Sequence, residues 1–116
     1  MPKKFIKSFK YAKLGAQHAI KTQRNLWIHC GVALLVLIFA YFLKCSLNEF
    51  ALLILTIFFV LTAEMFNTAI EEMVNLLSPH HQAQAALVKN LAAGAVLLVS
   101  VGAFIVGVLV FLPKVF

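Results

Sequence analysis

Residues 50–77 read FALLILTIFFVLTAEMFNTAIEEMVNLL, an apolar run that becomes polar in its second half. On a helix, the polar positions of this half follow steps of three and four residues and therefore share one face. They are Glu64, Asn67, Glu71 and Asn75. Carboxylates at the end of a membrane helix are costly against lipid, and they usually face a bundle interior or a polar cavity. We therefore expect this face to carry the function of the chain.

The composition is that of an integral membrane protein. The chain has 116 residues, 63% of them hydrophobic, and a mean hydropathy of +0.97. This length has room for one domain, residues 1–116, but the apolar fraction is too high for a soluble protein of this size. Long apolar runs without alternation favour helices over the strands of a closed barrel. The predicted fold class is all-α, with an amino-terminal amphipathic interfacial helix and three transmembrane helices.

The interfacial helix is predicted over residues 3–21, where apolar side chains recur among lysines at helical spacing. This helix either only anchors the chain or also covers an active site, and both interpretations remain open. The Ser78-Pro79 pair is expected to end a helix before the last span. The three spans are predicted at residues 26–43, 50–77 and 83–112.

Charge predicts the orientation. The formal net charge is +6, and seven of the ten basic residues precede the first span. This placement suits anionic lipid headgroups and the positive-inside rule better than nucleic acid, so no nucleic-acid partner is expected. The basic start is too long for a cleavable signal peptide, and the first span is expected to act as its own insertion signal. The amino terminus and the polar face of the second span are then predicted at the cytoplasmic boundary of a cell membrane.

The spacing of the two carboxylates suggests different roles for them. Glu64 lies about two helical turns deeper than Glu71, at 1.5 Å per residue. The deeper carboxylate suits a general base toward a lipid hydroxyl, and the one nearer water suits a divalent cation. Lys89, on the following helix, would supply positive charge to a phosphate, as phosphoryl transfer requires. The alternative is that these groups only join helices through polar contacts.

The glycine-rich nucleotide loops are absent from the sequence. It contains neither a Walker loop nor the glycine loop of protein kinases. Any nucleotide would therefore be held by scattered polar side chains.

Three segments carry a resemblance to a known family. They are Glu64-Met-Phe-Asn-Thr-Ala-Ile-Glu71, Leu76-Leu-Ser-Pro79 and Lys89-Asn-Leu-Ala-Ala-Gly-Ala-Val96. The chain closely resembles the prokaryotic diacylglycerol kinase and undecaprenol kinase family over nearly its whole length. The resemblance implies a small three-span enzyme of the bacterial cytoplasmic membrane that transfers the γ-phosphate of ATP to a lipid alcohol. It also implies a homotrimer with each site between neighbouring subunits.

The resemblance further implies roles for individual residues. Glu64 would be the catalytic base, and Glu71 would bind Mg²⁺ and nucleotide, with Gln23 at the position of the second metal ligand. Residues implied to contact ATP are Tyr11, Gln23, Glu71, His80, His81, Gln82, Lys89 and Asn90. Residues implied to contact the lipid are Lys4, Glu64 and Asn67. The segments Arg24-Asn-Leu-Trp-Ile-His29 and Phe111-Leu-Pro-Lys114 favour undecaprenol over diacylglycerol as substrate.

Three positions depart from the family pattern. Family members commonly carry Glu at the position of Gln23 and Asp at the positions of Asn75 and Asn90. A neutral amide oxygen is a weaker ligand than a carboxylate for a hard cation. Two interpretations follow. Either the site works with Glu71 as its remaining carboxylate and with Mg²⁺ brought by ATP, or the chain is a weakened or inactive relative that binds lipid or serves a structural role.

Overall fold

The computed structural model describes residues 2–78, 80 and 82–116. These residues form four helices, and the predicted all-α fold class is confirmed. Three of the helices, α2 to α4, are long and apolar enough to cross a membrane. The helices are α1 (Pro2–Thr22), α2 (Arg24–Phe42), α3 (Leu47–Leu77) and α4 (Ala83–Val115).

A single extended residue, Gln23, separates α1 from α2. The last carbonyl groups of a helix have no partner within the helix, and side chains often supply one. Here the backbone N–H of Gln23 donates to the carbonyl of Ala19 at 2.9 Å, and the Trp27 indole donates to the carbonyl of Ile20. These contacts stabilise the junction at which Gln23 lies.

The turn between α2 and α3 ends in a capping box. The Ser46 hydroxyl accepts from the backbone N–H of Glu49 at 3.2 Å, and the Glu49 carboxylate accepts from the backbone N–H of Ser46 at 2.9 Å. These two bonds satisfy donors that the first turn would otherwise leave unpaired. The helix consequently begins at Leu47, slightly before the start expected at residue 50.

An ion pair joins the first turn of α3 to the last turn of α4. The Lys114 ammonium lies 3.0 Å from a Glu49 carboxylate oxygen, and both side chains are about three-quarters buried. Lys114 lies beyond residue 112, where the third span was predicted to end. The helix continues to Val115, although Pro113 lies in its last turn. The ion pair fixes α3 and α4 at the end opposite to the polar half of α3.

The buried interior of the chain is small. Ala40, Leu53 and Val110 form an apolar cluster where α2, α3 and α4 meet, and Ala40 is fully buried. Most large apolar side chains are exposed, as expected of helices that face lipid or other helices. Within residues 2–78, 80 and 82–116, the buried polar residues are Glu64 and Thr68, each 7% exposed. The fold therefore buries Glu64, one of the residues on the polar face predicted from the sequence.

Candidate active site

The polar face of α3 consists of two neighbouring rows of side chains spaced four residues apart, a spacing that places residues next to each other on a helix. The first row contains Glu64, Thr68 and Glu72. The second row contains Asn67, Glu71 and Asn75. The two rows have different neighbours. Side chains of the first row contact α1 and α2, whereas a side chain of the second row contacts α4.

Glu64 lies at the deep end of the first row and faces α2. Its carboxylate oxygen Oε1 is 3.0 Å from His29 Nε2, and only 9% of its side chain is exposed. The Thr68 hydroxyl donates to the backbone carbonyl of Glu64 at 3.0 Å, so this hydroxyl needs no other partner. The carboxylate is thus directed toward the helix bundle, as expected of an ionisable group in a membrane helix.

Gln23 lies beside Glu64. The two side chains line one narrow crevice between the α1–α2 junction and α3, together with Thr68. Glu71 is not among the residues that line this crevice. The crevice therefore places Gln23 at the level of Glu64 and Thr68 on α3.

Asn67 and Glu71 form a pair within the second row. Asn67 Nδ2 donates to Glu71 Oε1 at 3.4 Å, while Asn67 Oδ1 is buried and has no hydrogen-bond partner among the described residues. A buried amide oxygen without a partner is uncommon and calls for an explanation. The nitrogen of the same amide contacts the Glu71 carboxylate. Amide and carboxylate oxygens are the ligands that hard cations prefer.

This oxygen pair is of a kind that hard cations, Mg²⁺ among them, take as ligands. Among the described residues, no group of three or more His, Cys, Asp or Glu side chains is placed to hold a metal ion. A cation at Glu71 would therefore take most of its ligands from water or from a bound phosphate. Mg²⁺ keeps several waters and commonly uses one or two carboxylates plus substrate phosphates.

Lys89 joins α4 to the second row. Its ammonium donates to Asn75 Oδ1 at 2.7 Å. Because an amide is neutral, this contact orients the ammonium without offsetting its charge, whereas an aspartate there would form an ion pair. Asn75 at this position therefore does not offset the ammonium charge, which can attract an anion.

A second histidine contacts the exposed end of the first row. His18 Nε2 lies 2.9 Å from Glu72 Oε1, and more than half of each side chain is exposed. An exposed pair of this kind contributes little to stability. It nevertheless links the last turns of α1 to the polar end of α3.

Several predicted ligands have exposed side chains in the single chain. Tyr11 is 67% exposed and lies seven residues before His18 on α1. His80 accepts a hydrogen bond from the Ser78 hydroxyl through its backbone carbonyl, at 3.1 Å. His81 is outside the described residues. The other predicted ligands that are exposed are Lys4, Gln82 and Asn90.

His29 was not predicted to take part in the site. The sequence contains a signal for it, since His29 is an ionisable residue just inside the first span, where such residues are rare and usually functional. Its partner could not be predicted, because helical spacing within one span does not say which face of another span it meets.

An apolar groove of about 630 Å³ runs between α2, α3 and α4. His29 lies at the end near Glu64, and Phe116 lies at the end near the Lys114–Glu49 pair. The α4 wall of the groove, residues 100–116, is about 24 Å long at 1.5 Å per residue. Apart from His29, Thr56 and Ser100, the residues that line the groove are apolar.

Comparison with known proteins assigns the family. The profile of the family described as prokaryotic diacylglycerol kinase matches residues 10–111. The chain is 38% identical to a Bacillus subtilis protein named undecaprenol kinase, over 96% of this chain and 90% of that protein. It is 39% identical to a Synechocystis protein named diacylglycerol kinase, over 91% of this chain and 61% of that protein. The chain therefore belongs to the prokaryotic diacylglycerol kinase family and, with it, to the ATP-dependent lipid kinases.

Proposed function

We propose that the protein transfers the γ-phosphate of ATP to the hydroxyl group of a membrane lipid alcohol, and that it prefers undecaprenol to diacylglycerol. The observation that carries this proposal is the position of Glu64. Its carboxylate is nearly buried beside the end of an apolar groove, and two turns along the helix lies a row of groups suited to phosphate and Mg²⁺. Such a site receives a lipid from the membrane and a nucleotide from water.

In the proposed reaction, Glu64 is the general base. It takes the proton of the lipid hydroxyl as the hydroxyl oxygen attacks the γ-phosphorus, the bond to the β–γ bridging oxygen breaks, and ADP leaves. Lys89 interacts with the phosphate oxygens through its ammonium. These steps need a base with limited access to water, and the nearly buried Glu64 carboxylate is such a base. They also need a positive charge near the nucleotide, which the Lys89 ammonium supplies.

Glu71 and the unpaired oxygen of Asn67 would hold Mg²⁺, and the amide oxygen of Gln23 is proposed as a further ligand. When bound, Mg²⁺ offsets negative charge on the phosphate oxygens. A site with one carboxylate among its protein ligands relies strongly on the phosphates of ATP for the remaining ligands. The proposal is therefore that Mg²⁺ arrives with ATP.

The groove is the proposed place of the lipid hydrocarbon chain. Its walls are apolar, and its end at His29 is the end nearest Glu64, so a chain lying in the groove presents a terminal hydroxyl to the base. The preference for undecaprenol is supported by the 38% identity with the Bacillus subtilis protein named undecaprenol kinase.

We place the amino terminus and the site on the cytoplasmic side, because basic residues concentrate before α2. The active form is proposed to be a homotrimer. The exposure of several predicted ligands in the single chain supports this, because a neighbouring subunit would bring them to a shared site. These ligands are Lys4, Tyr11, His80, Gln82 and Asn90, and His81 is proposed to act with them.

Replacing Lys89 with Met is expected to raise the KM for ATP about tenfold, the loss typical of one charge-assisted hydrogen bond. Steady-state kinetics at saturating lipid measure the effect. Lys114→Met is the matched control, since Lys114 is also on α4 and bonds to α3 but lies at the opposite end. Equal KM values for the two variants would contradict the role of Lys89.

Replacing Gln23 with Glu is expected to lower the Mg²⁺ concentration needed for half-maximal activity severalfold, because a carboxylate binds a hard cation better than an amide does. Activity is measured in a Mg²⁺ titration at fixed ATP. Gln17→Glu adds the same charge at an exposed position of α1 and serves as the control. If both variants behave like the wild type, Gln23 is not near the metal.

Substrate preference is tested with purified protein in mixed micelles that contain undecaprenol or diacylglycerol at equal mole fraction. Transfer of ³²P from ATP labelled in its γ-phosphate is followed over a range of lipid concentrations. A higher kcat/KM for undecaprenol is expected. A higher kcat/KM for diacylglycerol would overturn the preference while leaving the reaction class intact.

A further inference from the structure

The geometry points to His29 as a positioning residue that holds the Glu64 carboxylate in the orientation required of the base, a role that rests on the proposed lipid kinase activity. His29 lies on α2, and its Nε2 atom is 3.0 Å from Glu64 Oε1. The imidazole also lines the apolar groove at the end near Glu64. One ring therefore contacts the base and borders the proposed path of the lipid.

The carboxylate needs such a partner. An ionised carboxylate withdrawn from water is stable only when a donor or a positive charge compensates for the lost hydration. Thr68 bonds the backbone carbonyl of Glu64 and so does not serve the carboxylate. Within the part of the chain that the structure describes, His29 is the ion-pair partner of Glu64.

The contact leaves one oxygen of the base free. An imidazole that carries its proton on Nε2 places a positively polarised N–H group 3.0 Å from Oε1, measured from the nitrogen. The second oxygen, Oε2, then remains available to receive the proton of the lipid hydroxyl. Loss of the ring would free the carboxylate to rotate and would also open space at the end of the groove. His29 does not take up the proton in this scheme, so its effect on rate is transmitted through Glu64.

The chain contains a natural control for this contact. His18 and Glu72 pair through the same two atom types at 2.9 Å, two turns further along the same row of α3. That pair is more than half exposed, whereas the Glu64 side chain is 9% exposed. Water compensates for the loss of an exposed partner and not for the loss of a buried one, so the two histidines should respond differently to the same substitution.

The test uses the full-length protein and ³²P transfer from ATP to undecaprenol. His29→Leu is expected to lower kcat about 10- to 100-fold, the range that follows from misplacing a catalytic group, with the KM for ATP unchanged. His29→Gln, whose amide N–H extends about as far as Nε2, is expected to restore most of the activity. His18→Leu is expected to leave kcat within about twofold of the wild type, as for other exposed pairs.

A double-mutant cycle separates positioning from a merely structural role. If His29 acts through Glu64, His29→Leu will not slow the Glu64→Gln variant further, because the base that it positions is already absent. The inference would be overturned if the kcat losses of His29→Leu and Glu64→Gln multiplied in the double variant. It would also be overturned if His29→Gln were as slow as His29→Leu. An unchanged kcat in His29→Leu would overturn it as well. A wild-type protein that transfers no phosphate would instead refute the proposed function itself.

Discussion

Replacing Glu64 with Gln is expected to lower kcat about 10²- to 10⁴-fold, the contribution typical of a general base. Gln has nearly the same size as Glu, so the packing around this nearly buried side chain is preserved. Its amide cannot accept the proton of the lipid hydroxyl. ATP binding depends on groups about two turns away, and the KM for ATP should therefore stay close to that of the wild type.

Steady-state ³²P transfer by purified protein measures this effect, and ATP binding is measured separately by equilibrium dialysis. Glu49→Gln is the matched control. Glu49 is also a carboxylate of α3 with a basic partner, and Gln still permits the capping box with Ser46. Its activity should remain near that of the wild type. Normal turnover by Glu64→Gln would show that another group is the base.

Replacing Glu71 with Gln should produce the second largest loss, and of a different kind. The substitution removes the charged ligand from the Asn67–Glu71 oxygen pair. The Mg²⁺ concentration for half-maximal activity is expected to rise about 10- to 100-fold, as is typical when metal sites lose supporting groups. Much of the lost activity should return at high Mg²⁺, because the phosphates of ATP supply ligands of their own.

Mg²⁺ titrations at several ATP concentrations measure this change. Glu72→Gln is the control, since Glu72 adjoins Glu71 in sequence but is more than half exposed and pairs with His18 on α1. The Glu72→Gln variant loses the same charge but leaves Asn67 and Glu71 unchanged. Equal Mg²⁺ requirements for the two variants would mean that only the overall negative charge of the region matters.

The fold was largely predictable because its elements follow from local rules. Apolar runs of sufficient length define α2, α3 and α4. In lipid, only helices and closed barrels pair all the backbone N–H and C=O groups. The start of α3 was also encoded, since Ser46 and Glu49 have the spacing of a capping box. The expected start at residue 50 came from the apolar run alone and missed this polar signal.

The candidate site was predictable where it depends on one helix. Steps of three and four residues place Glu64, Asn67 and Glu71 on one face of α3 whatever surrounds them. The contacts between helices were not predictable in the same way. The pairs His29–Glu64, His18–Glu72 and Lys89–Asn75 depend on how the helices rotate and cross, and spacing within a single helix does not determine those angles.

The position of Gln23 illustrates the same limit. The sequence does not say which side chains Gln23 meets, and the structure places it in a crevice with Glu64. Gln23 lies at the junction after Thr22, where the Trp27 indole donates to the carbonyl of Ile20 and α2 begins. Neither apolar periodicity nor charge in the sequence encodes that junction directly.

The measurement that tests the central claim most directly is the transfer of ³²P from ATP to a purified lipid alcohol by the purified protein, with Mg²⁺ and with a chelator. The account predicts labelled phospholipid with Mg²⁺, one ADP formed for each phosphate transferred, and no label with the chelator. If no lipid alcohol is labelled and ATP is not consumed, the polar face of α3 serves only to join helices. In that case Glu64→Ala would lower the thermal stability of the assembly and leave no reaction rate to change.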